Sequence, residues 1–158
     1  MSDFNKTFME EAIKVAFQNS SNEIGGPFGA AVVKDNKIIC VVSNTVLRDK
    51  DPTAHAEMNA IREACKILGT HDLTGCELYA TGAPCPMCMA AIIWANIKTI
   101  YYCNDVEAAA EIGFRDDFIY DYIKGGCVNG EVLHIYHRYV EGGQALYDHY
   151  KETNKQMY

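Results

Sequence analysis

Two short segments limit what this chain can fold into more than anything else in it: His55-Ala56-Glu57 and, further along, Pro84-Cys85-Pro86-Met87-Cys88. Each stands where a helix is expected to begin. A Cys-x-x-Cys pair at i and i+3 puts both sulfurs on one face of the first turn. The helix N-terminus supplies partial positive charge there and favours the thiolate. Pro86 is tolerated because first-turn N–H groups have no intrahelical partner. Two thiolates and one neutral imidazole neutralise Zn²⁺ and supply three of four tetrahedral ligands. The fourth position is left for water, which is the arrangement of a catalytic zinc site. Glu57 follows His55 by two residues and cannot share its face on an ideal helix, so it is a poor fourth ligand. Close to the metal but unbound, a carboxylate can take the proton from the water instead.

Other readings of the same residues explain less. A lone Cys-x-x-Cys also marks redox motifs and zinc knuckles. Thioredoxin-like chemistry would place it after the first strand and leave His-Ala-Glu without a purpose. A closed structural zinc site would need a further ligand from His71, His134, His137 or Cys103, and no spacing selects one. Among the seven cysteines, Cys40, Cys76 and Cys103 fall in strand-like runs and Cys65 on a helix, where each is expected to act as a small buried hydrophobe. An odd number of cysteines and an N-terminus unlike a secretory signal point to reduced thiols and a cytoplasmic protein.

The rest of the chain supplies a frame for the two segments. With 158 residues and no repeat, low-complexity stretch or linker, a single domain over 1–158 is expected. Apolar residues at helical spacing predict a first helix over 4–18. Runs at 28–33 and 38–42 flank Asp35-Asn36 and read as a hairpin. A helix over about 53–68, a strand at 78–80, a helix over 84–96 and a strand at 99–103 follow. Helices are expected at 106–112 and 118–123, a last strand at 132–139 and a last helix at 144–155. The order predicts an α/β fold, a three-layer α/β/α sandwich around a mixed central sheet.

Charge narrows the partners. The formal net charge is -7, and no cluster of Lys and Arg offsets it, which disfavours nucleic acid. No apolar run approaches the ~20 residues of a membrane span. Tyr120, Tyr122, Tyr136, Tyr139, Tyr147, Tyr150 and Tyr158 are interleaved with acids, a pattern suited to packing helices or a subunit interface.

The two segments also match the known H-x-E…P-C-x-x-C signature of zinc-dependent base deaminases. Asp51-Pro52-Thr53-Ala54-His55-Ala56-Glu57 together with Pro84-Cys85-Pro86-Met87-Cys88 resembles the cytidine-deaminase-like superfamily. Gly25-Gly26-Pro27-Phe28-Gly29-Ala30, the run from Gly113 to Tyr120 and the terminal Tyr158 resemble its bacterial guanine deaminase branch. The resemblance implies His55, Cys85 and Cys88 as ligands of one Zn²⁺ per subunit and Glu57 as proton shuttle. It implies that Phe28 stacks on the base, that Asn44 hydrogen-bonds it, and that Asp116 assists recognition and proton transfer, with Tyr158 also binding substrate. It further implies a homodimer whose C-terminal helical tails are exchanged and close the partner's pocket.

On this resemblance the reaction is hydrolysis of a free nucleobase, guanine to xanthine and ammonia. Read as ordinary structure, Asp116 would be a helix N-cap, Phe28 a core residue and Asn44 a turn residue. A nucleoside such as guanosine, or another aminated heterocycle such as cytosine, is the rival substrate. A tRNA adenosine deaminase shares the zinc motifs but should carry a basic strand-binding face. A non-enzymatic, zinc-stabilised interaction module is the rival of another class. One departure from the family stands out: its usual glutamate before the Pro-Cys motif is Ala83 here.

Overall fold

Alternation along the strands divides the core into two faces. In the computed structural model, which describes residues 3–20, 23–153 and 156–158, four strands form one sheet in the order β2-β1-β3-β4. These are β1 (Gly29–Lys34), β2 (Lys37–Ser43), β3 (Cys76–Gly82) and β4 (Thr99–Asn104). Ala30, Val32, Leu78 and Ala80 point into one apolar cluster, and Ala31, Val33 and Tyr79 into a second. Period-two alternation with both faces covered is the pattern of a sheet sandwiched between helices. α1 (Lys6–Ser20) covers the second face through Phe8, Met9 and Ile13. On the first face lie α3 (Ala56–Leu68) and α4 (Pro86–Trp94). The expected three layers around a mixed sheet are therefore present.

Small residues bring the layers close together. Ala56, Ala60 and Ala64 recur every four residues on α3 and have no exposed surface, so the helix backbone lies directly on the sheet. On the other face, a Cβ at Gly29 would strike the carbonyl of Ala12 in α1, and only glycine fits there.

Asp35 and Asn36 both take positive φ (50° and 57°), the requirement of a two-residue type I′ turn, which fixes the β1–β2 hairpin. A register shift between Val32 and Val33 marks a bulge in that pair. β1 also runs antiparallel to β3, and β3 is parallel to β4. The ends of β2, β3 and β4 and the start of β1 therefore share one edge of the sheet.

Several expectations need correction. The short helix α2 (Val46–Asp49) was not anticipated, because four residues carry no readable period. α3 begins at Ala56 rather than near residue 53, and α4 spans Pro86–Trp94 rather than 84–96. Cys103 is exposed rather than buried, since β4 is the outermost strand and its C-terminal half is open. Residues 132–139 are turn or irregular and pair with no strand among the described residues. β-propensity alone makes no ladder without an edge to join.

The chain divides into two compact units, Met1–Asp117 and Phe118–Tyr158. The first holds the sheet, α1 to α4 and α5 (Val106–Glu111). The second carries all but the first residue of α6 (Asp117–Lys124) and the whole of α7 (Glu141–Glu152). The last two residues of the predicted final helix, Asn154 and Lys155, lie outside the described residues. None of the described residues of the second unit is buried. Its internal order comes from local contacts: Tyr122 Oη donates to the Cys127 carbonyl at 3.0 Å, and the Arg138 guanidinium lies 5.2 Å from the centre of the Tyr136 ring.

Candidate active site

His55 and Cys85 are the N-cap residues of α3 and α4. Both have extended backbone (φ -65°, ψ 156° and φ -69°, ψ 169°), so their side chains leave the helix ends rather than the helix flanks. Cys88 sits three residues into α4 and donates its N–H to Cys85 Sγ at 3.5 Å, which holds the two sulfurs together. His55 Nδ1 lies 3.5 Å from Cys85 Sγ and 3.6 Å from Cys88 Sγ. All three ligand atoms fall within 4.8 Å of one another.

These distances test the metal. Zinc binds sulfur at about 2.3 Å and imidazole nitrogen at about 2.0–2.1 Å, so a tetrahedral N···S edge is about 3.6 Å. The two observed edges agree, and the donor set of two sulfurs and one imidazole is the chemistry zinc selects. The three residues fit the ion.

Electrostatics distinguish the two sulfurs. The Cys85 thiol is held far below its ordinary value, first by the Cys88 hydrogen bond and then by His55. Cys88 is pushed up as the partner that keeps the proton, with burial adding to the effect. His55 is raised, chiefly by its hydrogen bond to Cys85.

Glu57 lies in the first turn of α3 and is 8% exposed. Its Oε2 accepts from Cys88 Sγ at 3.7 Å, and no ion pair reaches it among the described residues. Burial pushes its pKa up to about 7. A buried carboxyl beside a metal site, but outside its ligand set, can both take and give a proton.

A cavity of about 470 Å³ opens at the shared edge of the sheet. His55, Glu57 and Cys85 line it, together with Phe28 from the start of β1, Asn44 from the end of β2, Ala83 from the end of β3, and Asp116. Asn44 is buried, and its Oδ1 accepts the backbone N–H of Val46 (3.0 Å) and of Gly26 (3.3 Å). Two donors fix the amide orientation and leave the NH₂ group to serve a ligand. Burial raises the Asp116 carboxyl, and the Cys85 charge adds to it. The structure thus gathers seven of the eight residues singled out in the sequence into one place: the three ligands, Glu57, Phe28, Asn44 and Asp116. Tyr158 belongs to the second unit and is exposed.

Sequence reasoning missed the apolar wall. Val46, Leu47, Pro52, Ala109 and Phe114 also line the cavity. Pro52 and Phe114 stand inside the quoted motifs without a role assigned to them. Leu47 rides on the unanticipated α2, and no sequence signal pointed to it.

Residues 2–104 match the family described as the cytidine and deoxycytidylate deaminase zinc-binding region. The chain belongs to this family. Among its deaminase relatives, the guanine deaminase of Bacillus subtilis is 50% identical over 115 residues, covering 73% of this chain and 74% of the relative. A tRNA-specific adenosine deaminase of Aquifex aeolicus is 37% identical over 132 residues, 83% and 84% of the two chains. The crystal structure of the Bacillus subtilis guanine deaminase superposes with a TM-score of 0.90 at 38% identity, covering 99% of each chain. The chain is thus a member of a zinc-dependent deaminase family with a deaminase fold. Among the described residues no helix is long and apolar enough to cross a membrane.

Proposed function

We propose that the protein hydrolyses guanine to xanthine and ammonia. The observation that carries the reading is Glu57: a buried carboxyl that touches a metal ligand yet stands outside the ligand set. Half identity to a guanine deaminase over 115 residues supports the choice of base. A zinc ion held by His55, Cys85 and Cys88 supplies Lewis acidity that makes a water nucleophilic at neutral pH. Glu57 accepts the proton from that water and delivers it to a ring nitrogen beside C2. It then takes the proton of the hydroxyl now on C2 and passes it to the departing amine, so the C2 carbonyl forms, ammonia leaves and the carboxylate is restored.

The other cavity residues bind and orient the base. The Asn44 NH₂ donates to an acceptor on the ring, and Asp116 accepts from the N–H edge that guanine presents. Cytosine or adenine would leave that carboxylate partly unpaired, which rejects them strongly. Phe28 supplies a ring surface for the flat base, and the apolar wall keeps water away from it.

We also propose a cytoplasmic homodimer in which the tail, Tyr158 included, closes the partner's cavity. Seven free cysteines support the compartment, and a second unit none of whose described residues is buried supports a partner surface. The full chain would then act as one functional deaminase domain.

The test is ammonia release across guanine, guanosine, cytosine, adenine, cytidine and an adenosine-bearing tRNA. Guanine should be turned over fastest. A flat profile, or preference for a nucleoside or the tRNA, would overturn the substrate while leaving the metal chemistry in place.

A further inference from the structure

Phe28 is held on three sides. Its ring meets Phe114 edge-to-face, with centroids 5.0 Å apart and planes at 87°. A Cβ added at Gly26 would lie 3.1 Å from both Phe28 and Phe114, and one at Gly82 would lie 3.4 Å from Phe28. Two glycines and one perpendicular ring therefore form a cradle shaped to a single orientation of Phe28.

Phe114 belongs to the loop that leaves α5 and leads to Asp116. That loop turns at Gly113 (φ 100°), and Phe114 N–H donates to the Ala109 carbonyl at 3.0 Å. Arg115 pairs at 2.6 Å with Asp117, the first residue of α6, and both side chains are largely solvent-facing. The ring of Phe114 is what carries the loop inward to Phe28. At 43% exposed it is not a core residue, yet it lines the cavity.

We propose that Phe114 is a positioning residue for the base: set perpendicular to Phe28, it fixes that ring and ties the loop bearing Asp116 to the cavity. This rests on the base-binding reading of Phe28 and Asp116 given above. The pair sets the spacing between the ring that faces the base and the carboxylate that reads its edge. Phe114 takes no part in bond-making, so its loss should weaken capture of the base and spare the proton transfers.

The experiment is a double-mutant cycle on the full-length, zinc-loaded protein, read with whichever base of the panel the wild type turns over fastest. A wild type that ignores guanine thus refutes the substrate and still permits this test. Phe114→Ala should raise KM roughly five- to tenfold, the worth of one aromatic pair, with kcat within about twofold. Zinc content and melting temperature should stay at wild-type values. Phe114→Tyr should restore KM, and Gly26→Ala, which inserts a methyl between the rings, should reproduce the defect if the alanine variant folds poorly. In a Phe28→Ala background, Phe114→Ala should add less than about twofold. Additive losses in the cycle, a fall in kcat at constant KM, or full activity in both Phe114→Ala and Gly26→Ala would overturn the assignment.

Discussion

Leu78, Tyr79 and Ala80 are successive residues of β3, and all three are buried, whereas Leu133, Ile135 and Tyr139 in the second unit are 54%, 62% and 70% exposed. The residue types are comparable; their surroundings are not. β3 has a strand on each side and helices on both faces, so its backbone is paired and its side chains alternate into two cores. The run from 133 to 140 pairs with no strand among the described residues. Apolar content does not by itself make a core: burial needs a paired backbone and a facing surface. The first unit contains both, and the proposed second subunit would give the tail what it lacks.

On the proposed reading, bond-making belongs to the first unit and closure to a partner's tail, and the largest effects should follow that division. Cys88→Ala removes a ligand that is fully buried, and should leave the protein without stoichiometric zinc and without ammonia release. Elemental analysis beside an activity assay measures both. Glu57→Gln should retain zinc and fold while turnover falls by about 10²- to 10⁴-fold, the size of a lost general acid–base. Zinc-loaded Glu57→Gln with undiminished turnover would remove Glu57 from the mechanism. By contrast, deleting residues 156–158 should raise KM roughly tenfold, as expected for one lost aromatic contact, with a smaller change in kcat. An equal loss in both constants would break the proposed division of labour.

The sequence made the chemistry legible for a physical reason. Zinc ligation needs particular donor atoms at helix ends, so His55, Glu57, Cys85 and Cys88 announce themselves by type and spacing. The three layers were legible too, because strand alternation and the Asp35-Asn36 turn are local signals. What stayed hidden depends on contacts between distant residues. Leu47 reaches the cavity on a single helical turn, too short to show a period. Phe114 gains its role from Phe28, which is far from it in the chain. Residues 132–139 have the composition of a strand, but a strand is a relation between two segments, and composition describes only one.

Stability can sharpen the contrast between units. Leu78 has no exposed surface, so Leu78→Ala should cost about 2–5 kcal/mol in chemical denaturation at any protein concentration. Leu146, on α7, is 63% exposed. Leu146→Ala should cost under about 0.5 kcal/mol at high dilution, where subunits separate, and more at high concentration if a partner covers the tail. A cost that ignores concentration would argue against the dimer.

The smallest effect should appear in the cysteines outside the metal site, where exposure and protonation act together. Burial pushes the thiols of Cys40 and Cys76 up, so at mildly alkaline pH each remains protonated as well as shielded. The thiolate is the nucleophile, and a raised pKa removes it over the pH range in which an ordinary thiol begins to react. Cys103 and Cys127 are exposed, one at the open end of β4 and the other in the second unit. Brief alkylation of the zinc-loaded protein at low concentration should therefore label Cys103 and Cys127 and leave Cys40 and Cys76 intact, as read by peptide mass spectrometry. Raising the protein concentration adds the discriminating step. Cys127 labelling should slow if the second unit becomes covered by a partner, while protection of Cys40 should not change, because the sheet and α3 that bury it belong to its own subunit.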